Sequence, residues 1–312
     1  MGERTGIGWT GSTWNPLRAR HLVTGRIGWA CVRVSPGCLH CYAATQNEAA
    51  HRYGTGEDYT APALDRVVPY LDLKAVALPL SWRAPRRIFV CSMTDLFAEW
   101  VPDEWIDRVF AVMALAPQHT FQVLTKRPER MRKFCVDAGT RHLIAAAIRR
   151  YFPRETRAFV DVLPTLDDGT GWPLPNVWLG VSVEDQAAAD KRIPLLLQTP
   201  AAVRWVSYEP ALGPVSFCEW LPATEAAFKL NGYRMARGAA KNAGLPTLDW
   251  IIYGAESGPG RRSHDLAWLR SVYEQTRAAG VPLFVKQGSA FRPGQQADIQ
   301  DELWVQEFPH VA

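Results

Sequence analysis

Six short apolar runs, rich in β-branched and aromatic residues, constrain this chain most. They are "RIFVCSM" (87–93), "TFQVLT" (120–125), "NVWLGVSV" (176–183), "AVRWVSY" (202–208), "LDWIIYGA" (248–255) and "VPLFVKQ" (281–287). Each is apolar nearly throughout, not at alternate positions. A strand with one wet face alternates; a strand buried on both faces does not, and such strands belong to parallel sheets covered by helices. Amphipathic stretches separate the runs. "PDEWIDRVFAVMALA" (102–116) spaces Trp105, Val109, Val112 and Met113 at helical intervals, opens with acids and stops at Pro117. "DQAAADKRIPLLLQT" (185–199) and "HDLAWLRSVYEQTRAAG" (264–280) read the same way, the latter with Gly280 as its C-cap. The pattern predicts βαβ units with right-handed crossovers. A first strand near "STWNP" (12–16) brings the count to seven, which suits a complete or partial (β/α) barrel.

Three segments break the rhythm: a stretch of loop and helix at about 44–85, a basic helix and a Pro/Gly/Asp-rich loop at about 136–175, and a basic helical stretch at about 220–247. They are expected as insertions on one domain spanning 1–312.

In (β/α) barrels the chemistry gathers where strands end. Here each apolar run hands over to polar residues: Asp95, Lys126-Arg127, Glu184, Glu209, Glu256-Ser257 and Lys286. Asp95, Glu184, Glu209 and Glu256 with Lys126 and Lys286 are expected to line one mouth, able to hold the hydroxyls and ammonium of a small polar cofactor. The bland alternative is that strands simply end in solvent.

Three of the chain's six cysteines crowd into "WACVRVSPGCLHCYA" (29–43), with spacing Cys31-x6-Cys38-x2-Cys41. The chain has 312 residues, 47% hydrophobic and 21% charged, with no apolar stretch near the ~20 residues of a membrane span and no signal-peptide core. A cytoplasmic location follows as the expectation. Six cysteines in a reducing compartment argue against a disulfide framework. Three thiolates leave one position open on zinc or on an iron–sulfur cluster, and inert thiols remain a third reading. The net charge of +4 permits a phosphate-bearing partner without demanding one.

The motifs "TWNP" (13–16), "VSPGCLHCYA" (34–43), "FVCSMTDLF" (89–97), "LTKRP" (124–128), "LGVSVE" (179–184), "SYEP" (207–210), "YGAESGPGRR" (253–262) and "FVKQ" (284–287) run along nearly the whole chain. In that order they resemble the radical S-adenosylmethionine (radical SAM) superfamily, in particular its phage- and prophage-associated three-Cys-motif branch of unassigned function. The resemblance implies a partial (β/α) barrel of radical-SAM type. It implies a [4Fe–4S] cluster on Cys31, Cys38 and Cys41, with S-adenosyl-L-methionine on the open iron. It further implies cleavage of that cofactor to a 5′-deoxyadenosyl radical, and a flavodoxin- or ferredoxin-like electron donor. His40 stands where the superfamily places an aromatic residue near adenine, and Tyr42 follows. Ser182, Glu184, Glu209, Glu256 and Ser257 are the candidates for the cofactor's hydroxyl and amino groups. Lys286 is a candidate for its carboxylate, and Asp95, Lys126 and Arg127 for catalytic work beside substrate. The superfamily's usual first gap is three residues; here it is six. The glycine-rich strand after the cluster is replaced by "CSMTD".

The substrate class expected is nucleic acid or a nucleotide, on the resemblance's phage association and the mild basicity, with Lys126-Arg127, Arg141, Arg149 and Arg150 expected as one basic wall. Two rivals remain: a zinc-bearing nucleic-acid-binding protein without catalysis, supported by the basic runs "RHLIAAAIRRYF" (141–152) and "YRMARGAAKN" (233–242), and a zinc-dependent hydrolase.

Overall fold

The structure, a computed structural model, describes residues 5–49, 53–153, 156–230 and 244–310, the side chains of 156–159 excepted. The strands are β1 (Ser12–Trp14), β2 (Leu17–His21), β3 (Ile27–Gly28), β4 (Val67–Leu71), β5 (Arg87–Val90), β6 (Thr120–Thr125), β7 (Val177–Val183), β8 (Val203–Tyr208), β9 (Trp250–Gly254) and β10 (Leu283–Gln287). Seven of them form one sheet in the order β1-β5-β6-β7-β8-β9-β10, and β3-β2-β4 form a second. The α/β class with a parallel sheet is as the apolar runs predict, strand for strand. The chain divides into two compact units. The first comprises Thr10–Trp178 with Pro200–Ala202 and the segment up to Thr5; the second comprises Gly6–Trp9, Leu179–Thr199 and the chain from Val203 on.

In the first unit, β1 pairs with β5 and β5 with β6, both in parallel. The helix Asp103–Leu115 makes the β5-to-β6 crossover and buries Ile106, Val109, Phe110 and Met113. Trp14 and Phe121 pack at 5.7 Å between ring centroids, and both are fully buried. The 44–85 segment holds more than loop and helix. Its β4 pairs antiparallel with β2, Leu17 opposite Leu71 and Arg18 opposite Tyr70, and β3 closes the other edge. The 136–175 segment holds the expected basic helix, at Thr140–Tyr151. The Pro-rich stretch after it does not stay loop: "LPTLDD" lies in the helix Thr156–Asp168, because Leu163 and Leu166 are buried and their packing outweighs Pro164. Residues 231–243, and so "YRMARGAAKN", lie outside the described residues.

In the second unit, β8 pairs with β9 and β9 with β10, again in parallel. The helix Leu266–Ala279 makes the second of these crossovers and ends at Gly280 in the left-handed conformation. The core here is aromatic: Trp9, Trp205, Trp250 and Phe284 pack edge to face or tilted at 5.2–6.4 Å. Gly180 of β7 is fixed by this core, since a Cβ there would lie 2.5–2.7 Å from the Trp205 indole. No helix among the described residues is long and apolar enough to cross a membrane.

Candidate functional site

The cysteine loop of the first unit is held by residues that follow β5 and β6. The turn after β5 is set by buried Asn15, whose Oδ1 accepts from the Met93 N–H at 3.0 Å and whose Nδ2 donates to Ser92 Oγ at 3.0 Å. From that turn Thr94 donates to the Ala30 carbonyl at 2.5 Å, and the Ser92 carbonyl accepts from the Tyr42 hydroxyl. Past the end of β6, Arg127 donates to the Val32 carbonyl at 3.0 Å and Lys126 to Ser35 Oγ at 2.9 Å. On the far side the Arg33 N–H reaches the Tyr59 carbonyl at 3.0 Å. Within the loop Ser35 opens the short 3-10 turn Pro36–Cys38, and Cys41 directly precedes the helix Tyr42–Ala49.

Asp95 organises this attachment. One carboxylate oxygen accepts from the Phe97 N–H (2.9 Å) and Thr125 Oγ1 (2.7 Å); the other accepts from the Lys126 N–H (3.0 Å) and Arg127 Nη1 (3.0 Å). Arg127 also donates from Nε to Glu99 at 2.9 Å. Both side chains are buried; burial opposes the Arg127 charge, but Asp95, the Cys31 sulfur and Glu99 outweigh it and hold its pKa above the ordinary arginine value. Asp95 and Arg127 are thus spent on the protein's own groups, and their work is to hold the loop. Lys126 is only half-buried, and it acts on Cys38 and Cys41.

Two of the three sulfurs share one apolar pocket. Cys31 and Cys41 pack against Trp29, Ala43, Ala44, Tyr59 and Met93. Burial, with help from Asp95, pushes the Cys31 thiol up to about 12. Cys41 is raised too, chiefly by burial and against the N–H groups of Ala44 and Ala43, which donate toward its sulfur. Cys38 goes the other way. Burial opposes its ionisation, but the Lys126 ammonium, the N–H groups of Val34 and Ser35 and the Ser35 hydroxyl bring it below the ordinary thiol value. All six cysteines are free; Cys91, Cys135 and Cys218 are buried, and Cys91 lies within electrostatic reach of Cys31. His40 and Tyr42 are exposed at the rim of the loop.

Among the described residues no three His, Cys, Asp or Glu side chains converge closely enough to hold a single ion. Thiolates about 2.3 Å from one zinc would lie about 4 Å apart. A four-iron cluster binds each thiolate at a different iron and spaces them more widely. Here Cys38 and Cys41 act on the Cys31 thiol and Cys38 on Cys41, and backbone N–H groups donate toward the Cys38 and Cys41 sulfurs. N–H donors around two of the sulfurs favour the thiolate, the form in which cysteine binds a metal or a cluster.

The other predicted residues stand in the second unit, just past or within the strand ends, and the three glutamates are held by bases. Glu184, 1% exposed, accepts from Arg192 Nη1 at 2.8 Å, and the same nitrogen donates to the Ser182 carbonyl at 2.6 Å. Glu256 accepts from the Arg262 N–H, Nε and Nη2 at 2.8, 3.0 and 2.6 Å. Glu209 and Lys286 form a half-buried ion pair. Ser182 donates to the Glu209 carbonyl at 3.2 Å, and Ser257 is half-buried beside Glu256. Gly254 keeps the Glu209 carboxylate in place, since a Cβ there would meet it at 3.1–3.3 Å.

Some residues of the site were not anticipated. Fully buried Asn47 accepts from the Trp29 and Thr55 N–H groups and donates to Thr55 Oγ1 and the Glu57 carbonyl, which fixes the entry to the cysteine loop. A polar residue inside "YAATQNEAA" gives no sign of that. Arg192 had a signal, being two helical turns beyond Glu184. The expected basic wall is largely neutralised: Arg149 pairs with Asp167 at 2.5 Å, and Arg141 acts on Asp168.

No curated protein and no solved structure matches the chain. A family model described as a protein of unknown function (DUF5131) matches residues 4–307. With nearly its whole length inside that match, the chain belongs to the DUF5131 family.

Proposed function

We propose that this chain is a radical-SAM-like enzyme that carries a [4Fe–4S] cluster on Cys31, Cys38 and Cys41 and uses S-adenosyl-L-methionine to modify a nucleic-acid or nucleotide substrate. The observation that supports it is the three-thiol loop itself, tied down by residues following β5 and β6 and supplied with N–H donors. When bound, such a cluster supplies the electron that cleaves S-adenosyl-L-methionine and starts radical chemistry on the substrate.

The chain's residues have distinct tasks in this reading. Lys126 and the Val34 and Ser35 N–H groups lower the Cys38 pKa and so favour the thiolate that ligation needs. The Ala43 and Ala44 N–H groups stabilise negative charge on Cys41. Asp95 and Arg127 position the loop, and Trp29, Tyr59 and Met93 keep water from the sulfurs. His40 and Tyr42 are the candidates for contact with adenine. Ser182, Glu184, Glu209, Glu256, Ser257 and Lys286 are the candidates for the cofactor's polar groups, with Glu209 and Lys286 the most accessible charged pair among them. The setting is cytoplasmic, with a flavodoxin- or ferredoxin-like protein as electron donor.

The test is anaerobic reconstitution with iron and sulfide. The protein should turn brown, hold about four irons per chain, and release 5′-deoxyadenosine when reduced with S-adenosyl-L-methionine. Alanine at Cys31, Cys38 or Cys41 should abolish the cluster; alanine at Cys135 or Cys218 should not. A colourless protein with one tightly held zinc, or full iron in Cys38→Ala, overturns the proposal.

A further inference from the structure

Arg18 is an arginine in an unusual position. It lies on β2 and is 8% exposed, yet among the described residues its side chain makes no hydrogen bond or ion pair. Its Nε is buried without a partner, and its guanidinium lies over the Trp29 indole, 4.8 Å from the ring centroid. Asp72 acts on it through space, but that carboxylate caps the helix Leu73–Val76, accepting from the N–H groups of Lys74 and Ala75 at 3.1 Å each. A buried guanidinium with no anion hydrogen-bonded to it is costly, and the cost falls when an anion binds it directly.

The surroundings say which kind of anion. Side chains two apart on a strand share a face, as do residues directly opposite across a pair. Arg20 therefore lies on Arg18's face of the small sheet, with Tyr70 opposite Arg18 and Val68 opposite Arg20. Arg20 is exposed and, among the described residues, has no ion pair. Tyr53, 58% exposed, lies within electrostatic reach of Arg18. None of these paired positions carries an acid. The face thus offers two cations and the half-buried Tyr70 ring on a β-sheet, with the exposed Tyr53 ring within reach. Phosphates match the arginines, and unpaired bases match the ring faces.

We propose that this face binds single-stranded nucleic acid, with Arg18 and Arg20 on backbone phosphates and Tyr53 and Tyr70 stacking on bases. Trp29 joins the face to the cysteine pocket, because it also packs with Cys31 and Cys41. The proposal deepens the substrate class of the function proposed above and rests on that reading only for the chemistry; the binding needs no cluster.

The experiment is fluorescence anisotropy of the purified full-length chain with labelled oligothymidylate and oligouridylate, at about 50 and about 200 mM salt. Binding should be seen at low salt and fall steeply at high salt. Tyr53→Ala should weaken it about fivefold or more. Arg20→Ala should weaken it and flatten the log–log salt slope by about 0.7. Arg18→Gln, checked for folding by circular dichroism, should weaken it further. Both Tyr53 and Arg20 are exposed, so their variants keep the test valid if Arg18→Gln does not fold. The triple variant Cys31→Ala, Cys38→Ala, Cys41→Ala should still bind, which separates this proposal from the cluster assignment. Absence of binding at low salt, binding unchanged in the Arg20 and Tyr53 variants, or equal competition by polyglutamate overturns it; the last would mark a surface for acidic peptides.

Discussion

The Lys126 ammonium donates to Ser35 Oγ at 2.9 Å across 91 residues of chain, and Ser35 Oγ lies 3.7 Å from the Cys38 sulfur. This contact brings a cation from the end of β6 to the one loop cysteine whose thiol is made more acidic. Lys126→Met should therefore raise the Cys38 pKa. In cluster-free protein at about neutral pH, alkylation of Cys38 should slow by about tenfold for each pKa unit recovered. The check is a pH profile of iodoacetamide modification followed by mass spectrometry. An unchanged profile would show that the ammonium does not act on the sulfur.

Asp95 and Arg127 form a buried pair at 3.0 Å. Removing the carboxylate leaves a buried guanidinium and two strand-end N–H groups without their acceptor. Asp95→Ala should cost about 3–5 kcal/mol, measured by urea unfolding. Asp95→Asn keeps the shape and some acceptor capacity and should cost less. Equal stability of Asp95→Ala and wild type would contradict the anchoring role.

Asp107 gives the stability a pH dependence. It is buried on the helix Asp103–Leu115, and its Oδ1 has no hydrogen-bond partner among the described residues. Burial, then Asp103 and Glu104, raise its pKa from 3.8 to about 7. The folded state thus binds the proton more tightly than the unfolded state. Its stabilising contribution is fully present below about pH 4 and is lost as pH rises through about 7. Asp107→Asn should remove that slope and add about 2 kcal/mol at pH above about 8, less than the whole shift would carry because water screens part of the charge. Urea titrations at several pH values decide it: parallel curves for the two proteins would refute the assignment.

The parallel strands were legible because a strand buried on both faces has to be apolar along its length. Near-continuous runs such as "VWLGVSV" mark such strands without reference to any partner. The three cysteines were legible as one group because they are close in sequence. The small antiparallel sheet was not legible. β2 reads "LRARH" and β4 reads "VVPYL", one basic and the other interrupted by Pro69, and their partners are up to 54 residues apart, as with Leu17 and Leu71.

Sequence by itself determined which residue types stand at the strand ends; tertiary structure alone decided their employment. Asp95, Lys126 and Arg127 read as residues for a substrate, but the parallel pairing of β5 with β6 sets the segments that follow side by side, and Asp95 closes on Arg127. Glu184, Glu209 and Glu256 read as one acidic set, yet each meets a different base, because a buried carboxylate is costly without a cation near it. Arg18 carries no local sign of its burial. Only the packing of β2 near the Trp29 indole withdraws its charge from water while leaving it without a partner among the described residues.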